Sequence, residues 1–278
     1  MEQNKAPSLV AIIACYYPAY FEQAIKNLER LLTSIKPEFQ IIVINNNDQP
    51  IKHKGLNVVK GSNQCWEFSA WDEGIEFMTN NYSDFTQSTF VFLNDTFFTH
   101  RVFTFLDFYL FKKSIQKVVL KKCDFSGEVN SFGESFYVNT LGANKWVSTY
   151  LFALQASKLK TIGKFCKFDQ QNSNLQVNTE SKKITIDECS ENLLVHLEKW
   201  FFPKNPKLGW YKNSLNPDNN VFLKQKITAV LNEKLLSMHA VNAKLEFDNV
   251  YGNQLTKIYL LGRKFLYKFV ISSIKKFN

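Results

Sequence analysis

Apolar residues along this chain fall into short, dense runs that end abruptly in polar clusters. Residues 8–16 (SLVAIIACY), 39–45 (FQIIVIN), 56–60 (LNVVK) and 89–94 (TFVFLN) are continuous enough to be strands buried on both faces. Between them the spacing changes to three and four. Pro18 opens a helix over 19–35 carrying Phe21, Ile25, Leu28, Leu31 and Leu32 on one side, and a second helix is predicted over 65–79. Strand–helix alternation with short turns predicts an α/β fold: a mixed, mostly parallel sheet flanked by helices. Right-handed crossovers would then bring the carboxyl ends of the strands to one edge.

The remainder is less regular. Lys117–Cys123 predicts a further strand, and residues 124–135 (DFSGEVNSFGES) are turn-rich. Residues 145–163 predict a strand running into a helix that stops at Gly163. Residues 167–183 are polar with little pattern, as expected of a surface loop over a site. Helices follow at 190–201, with Asp187 or Ser190 as cap, and at 218–241; between them lie three prolines and the pair Trp210-Tyr211. The expected organisation is an α/β domain over 1–202, a helical extension over 203–250 and a basic amphipathic helix over 251–278.

Charge changes the picture at that last segment. The chain of 278 residues carries a formal +9, and from residue 254 onward there are six basic residues and no acid. Lys257, Lys264, Lys268 and Lys275 stack on one helical face, with Ile258, Leu261, Phe265, Leu266, Phe269, Ile274 and Phe277 opposite. Such a helix can lie on an anionic membrane, each basic residue worth about 1 kcal/mol near the surface. The alternative is a terminal helix packed on the domain with solvated lysines. No nucleic-acid module accompanies the charge, so nucleic acid is not an expected partner. No apolar stretch reaches 18 residues, and MEQNKAPS does not resemble a signal peptide. The five scattered cysteines form no CxxC pair, which argues against a zinc site or disulfide framework and for a reducing cytoplasm.

Candidate chemistry sits at the strand ends. Three polar residues, Asn94-Asp95-Thr96, terminate the apolar run Phe90–Leu93, and burying them is costly unless something binds them. Asp95 is either a ligand-facing carboxylate or a buried cap of the next turn. On the same edge lie Tyr16-Tyr17, Asn45, Asn46, Asn47 and Asp48, and Asn63. Together they describe a hydrogen-bonding crevice suited to a nucleotide.

In order and spacing these residues resemble the A-type fold of nucleotide-sugar glycosyltransferases, particularly family 2 of inverting enzymes. The likeness covers about residues 10–240: a strand–Pro–helix unit, a polar end to strand two, Ala70-Trp71-Asp72-x-Gly74 where the family has Ala-Arg-Asn-x-Gly, and Asn94-Asp95-Thr96 at its Asp-x-Asp motif. Residues 210–237 are similar to the C-terminal helical part of transferases of the rhamnan and O-antigen type. The resemblance implies a hexosyltransferase-like enzyme of bacterial surface polysaccharide or lipopolysaccharide synthesis. It would be cytoplasmic, peripheral on the inner-membrane face, with a nucleotide-sugar donor and a glycan or lipid-linked acceptor.

By the same resemblance Tyr16 and Tyr17 flank the base, Asn45, Asn46 and Asn47 contact base and ribose, and Asp72 touches sugar or ribose. Asn94, Asp95 and Thr96 line the diphosphate. Only one carboxylate remains of the motif's two, so either Asp95 holds Mg²⁺ or Mn²⁺ with diphosphate and water, or cationic side chains neutralise the leaving group. No organic cofactor is implied. The catalytic base falls in the segment Asp187-Glu188-Cys189-Ser190-Glu191, with Glu191 first and Glu188 and Asp187 beside it; Glu128 and Glu134 are rivals. His100 and His239 are read as structural or surface histidines. The competing class is a non-catalytic carbohydrate- or nucleotide-binding module on the same fold.

Overall fold

The computed structural model describes residues 6–51, 53, 55–99, 103–168, 173–203 and 220–262. Its centre is a seven-stranded sheet built from β1 (Leu9–Cys15), β2 (Gln40–Asn45), β3 (Asn57–Lys60), β4 (Thr89–Asn94), β5 (Phe125–Asn130), β8 (Trp146–Gln155) and β11 (Phe247–Asn249). The order is β11-β5-β8-β4-β1-β2-β3. β1 pairs in parallel with β2 and β4, β2 with β3, and β5 with β11; β8 runs antiparallel to both β4 and β5. The expected α/β class with a mostly parallel sheet is therefore present.

Helices cover both faces, which is why β1 is apolar at every position. Leu9, Ala11, Ile13 and Cys15 share a core with Phe21, Leu28 and Leu32 of α1 (Pro18–Ile35) and with Phe111, Ile115 and Val118 of α3 (Phe105–Val119). Val10, Ile12 and Ala14 face the other way, onto Phe68, Ala70, Trp71 and Met78 of α2 (Glu67–Asn81) and Leu236 and Ala240 of α6 (Asn220–Asn242). Gly74 lets α2 approach the sheet: a Cβ there would lie 2.4 Å from Cγ2 of Ile12.

A third cluster gathers the rest of the chain. It joins the hairpin β6 (Phe136–Val138) and β7 (Leu141–Ala143), the hairpin β9 (Gln176–Asn178) and β10 (Lys183–Thr185), and α5 (Glu191–Phe201) against α6. α6 is buried nearly all round and enters two core clusters, and β11 joins the central sheet. The described part of 203–250 is thus integral to the α/β body.

Two sequence expectations are corrected. Lys117–Cys123 is not a strand: it is the last turn of α3 and the exit from it, where Lys121 adopts a left-handed φ of 54°. Val118-Val119 has a strand-like composition, but the capping box of Thr104 and Asp107 starts a helix that carries them to the core. The strand begins later, at Phe125. The polar stretch 167–183 is not patternless either, because Leu175 and Val177 are buried and Gln176–Asn178 pairs with Lys183–Thr185 in the β9–β10 hairpin. After β8 the chain passes through a 3₁₀ turn into α4 (Leu159–Ile162), which ends at Gly163 with φ 71°, as expected.

The cysteines also depart from expectation. Cys65, just before α2, and Cys166 form a disulfide with Cα atoms 5.9 Å apart. Cys15, Cys123 and Cys189 are free. The 101-residue separation concealed the pair in the sequence. No helix among the described residues is long and apolar enough to cross a membrane. Trp210-Tyr211, His100 and residues 263–278 lie outside the described residues.

Candidate functional site

The chain leaves β1 toward β2 on one side and returns through β4 on the other, so the order reverses between β1 and β4. In open α/β sheets ligands bind at the carboxyl ends of the strands flanking such a reversal. Asp95 bridges this point. Its backbone N–H continues the ladder to the Ala14 carbonyl at 3.0 Å. Its Oδ2 accepts the backbone N–H of Tyr16 at 2.7 Å and of Tyr17 at 2.6 Å. Tyr17 is the N-cap of α1 and provides no side-chain cap, so the Asp95 carboxylate takes that role from the neighbouring strand. Asp95 is 2 % exposed, and burial pushes its pKa up to about 6 despite those hydrogen bonds. Oδ1 has no hydrogen bond among the described residues. Of the two alternatives open for Asp95, the structure shows the buried cap, made by Oδ2.

Tyr16 and Tyr17 stand beside it, 47 % and 43 % exposed, with ring centroids 5.0 Å apart edge to face. The asparagines are less available than their composition suggested. Asn45 bonds Gln49 and Asn47, and Asn47 bonds Tyr16 and Gln49, closing the turn after β2. Asn46 donates Nδ2 to the Trp66 carbonyl at 2.9 Å, while its Oδ1 is buried without a partner against Gly61. Thr96 donates its hydroxyl to Asn94 Oδ1 at 2.9 Å. Asp72 is occupied away from any ligand role: its two oxygens accept the N–H groups of Phe165 at 2.7 Å and Cys166 at 3.0 Å.

Sequence reasoning missed a set of charged groups that the tertiary structure adds. Glu67 opens α2; burial raises its carboxyl, and it interacts electrostatically with Lys226, Glu233 and Asp95. Lys226 on α6 lies 4.0 Å from the ring centroid of Trp66, and burial pushes its ammonium down to about 8. Trp66 itself holds a φ of 56°. Glu233 Oε2 accepts the N–H and hydroxyl of Thr149 at 3.0 and 3.1 Å, and its Oε1 accepts from the fully buried Lys234 at 2.9 Å. Lys234 lies 3.6 Å from the Trp146 ring centroid, its pKa lowered by burial to about 8. The available signal was a buried helix interrupted by Thr228, Asn232, Lys234 and Ser237, since such polar residues need partners in the core.

As a metal centre the crevice is incomplete. Asp95 contributes one unengaged oxygen, Asn94 and Thr96 bond each other, and no group of three His, Cys, Asp or Glu comes together among the described residues. A divalent cation taking six or more oxygens would draw nearly all of them from elsewhere.

The three expected bases are not brought together. Asp187 and Glu188 line a cavity of about 380 Å³ with Asn139, Lys167, Phe168 and Leu235. The Glu188 carbonyl accepts the Asn139 N–H at 2.7 Å. Glu191 is the first residue of α5, exposed, and outside that lining. Glu128 is buried and accepts the Tyr150 hydroxyl at 2.8 Å, whereas Glu134 is exposed. His239 lies near Lys167 and has its pKa lowered, mainly by burial. α6 serves both regions, with Lys226 and Glu233 toward Glu67 and Leu235 at the cavity. No family model matches the chain, and no curated protein matches its sequence.

Proposed function

We propose that the chain is a glycosyltransferase of the A-type fold, moving a sugar from a nucleotide-diphosphate donor to a glycan or lipid-linked acceptor of a bacterial surface polysaccharide. The observation that carries this reading is the reversal between β1 and β4, where Asp95 ties the two strand ends together beside an exposed tyrosine pair. The donor's base stacks on Tyr16 or Tyr17. Lys226, charged at neutral pH with its pKa near 8, neutralises the departing diphosphate. The donor set does not fit a complete protein-held metal site, and no step is assigned to one.

In the reaction the acceptor hydroxyl oxygen bonds to the anomeric carbon as that carbon's bond to phosphate oxygen breaks. The electron pair leaves with the diphosphate, and the hydroxyl proton passes to a carboxylate. Asp187 and Glu188, which line a cavity of about 380 Å³, are the first candidates for that role, with Glu191 at the start of α5 beside them. The incomplete metal donor set favours one second reading, a binding module that holds a nucleotide or glycan without turnover.

The test is a thermal-shift screen of nucleoside diphosphates and sugar nucleotides, with and without Mn²⁺, followed by a transfer and hydrolysis assay. A stabilising nucleotide whose effect is lost in Tyr17→Ala and weakened in Lys226→Met is expected. Binding without turnover would select the module; no binding at all would sink both.

A further inference from the structure

α3 presents an unusual outer face. Phe105 is 76 % exposed, and Leu106, Tyr109 and Leu120 follow it along the same side, interspersed with Lys112 and Lys113. Lys113 lies 4.7 Å from the Tyr109 ring centroid, so cation and aromatic ring are already paired. The helical segment 254–262 carries a second such stripe: Leu255 is 79 % exposed, and Ile258 and Leu261 are similarly open, with Lys257 beside them. Its opposite side, through Thr256, Tyr259 and Leu260, packs on the body.

The inward sides of the two segments meet at the first turn of α3. The Tyr259 hydroxyl bonds Thr104 Oγ1 at 2.5 Å and donates to Asp107 Oδ2 at 2.8 Å. Tyr251 donates to Asp107 Oδ1 at 2.5 Å. Asp107 is the only acid in residues 105–120, there is none in 249–278, and it is completely buried in this latch. Asp248, the last acid of the chain, is paired with Ser114 and Lys117. The surface that remains is apolar, basic and free of exposed carboxylates from these segments.

The structure assigns the exposed outer sides of α3 and of segment 254–262, two segments latched together at Asp107, to docking on an anionic lipid bilayer. Exposed aromatic and aliphatic groups between lysines suit the interface between headgroups and acyl chains, where apolar insertion and attraction to anionic lipid act together. A second copy of the chain is disfavoured as the occupant, because it would set one basic face against another. The assignment goes beyond a basic terminal tail, since half of the surface is built into the fold. It does not depend on the glycosyltransferase reading, and its test needs no turnover.

The full chain is sedimented with phosphatidylcholine vesicles made with and without phosphatidylglycerol, at low and high salt. Binding is expected only to the anionic vesicles and should weaken with salt. Phe105→Ser/Leu106→Ser/Tyr109→Ser should lower the partition by about tenfold or more, and Lys112→Glu/Lys113→Glu/Lys257→Glu similarly. Circular dichroism checks folding, and these side chains are on the surface. The proposal is overturned if the wild type stays in the supernatant. It is equally overturned if the α3 variant binds like wild type, which would leave the tail sufficient, or if the chain is a stable dimer that the α3 variant dissociates.

Discussion

Replacing Asp95 with asparagine keeps an acceptor oxygen for the Tyr16 and Tyr17 amides while removing a buried charge. The carboxyl rises from its ordinary 3.8 to about 6, chiefly through burial. That difference corresponds to about 3 kcal/mol disfavouring the charged form in the folded state. Between pH 3.8 and 6 the folded chain binds more protons than the unfolded chain, so this group's contribution falls as pH rises through that window. At pH 7 the full penalty is present. Asp95→Asn should therefore be more stable than wild type at pH 7, by about 1–3 kcal/mol, and the advantage should shrink toward pH 4. Asp95→Ala removes the acceptor as well and leaves two partly buried amides unsatisfied, at about 1–3 kcal/mol each. The assay is urea unfolding of wild type and both variants from pH 4 to 7, with an unchanged m-value required. If Asp95→Asn is no more stable than wild type at pH 7, or its advantage does not depend on pH, the reasoning fails. Under the proposed function the same substitution weakens nucleotide binding, a stability gain obtained at the expense of the site.

Asp72→Ala should destabilise by about 2–4 kcal/mol in the same assay, because the amides of Phe165 and Cys166 lose their acceptor. His196, held near pKa 4 chiefly by burial, binds fewer protons folded than unfolded between pH 4 and 6.5, so its contribution is lost as pH falls through that range. His196→Phe should abolish this acid sensitivity and remove a buried, unpartnered Nε2, as read by unfolding midpoints at pH 5 and 7. Gly74→Ala should cost about 1–3 kcal/mol by forcing α2 from Ile12, and combining it with Ile12→Ala should cost less than the sum of the two.

How much of this was legible beforehand differs by element. β1, β2 and β4 were readable because a strand buried on both faces has no choice of composition, and Pro18 marked α1 because its fixed φ suits a first turn. α3 was not, since Val118-Val119 favours a strand locally and only Thr104 and Asp107, fourteen and eleven residues upstream of Val118, begin a helix. Asp95 was located correctly as the polar end of β4, but that Oδ2 would cap α1 required knowing that β1 and β4 are neighbours. Lys226, Glu67 and Glu233 carried no mark, because nothing in residues 160 apart indicates that α2 and α6 meet. Asp72 was legible as a carboxylate and not as the acceptor for a turn beginning at Phe165.

The sequence by itself determined that β1, β2, β4 and α1 are core elements and that one sheet edge is polar, since periodicity and burial are local properties of composition. It also determined the absence of acid beyond Asp248. The tertiary structure alone decided which polar groups on that edge are already bound, and that the basic helical segment is latched through Tyr259 to the first turn of α3. Hydrogen bonds and electrostatic partners are formed across strand order and helix packing, and neither is written in the spacing of residues along the chain.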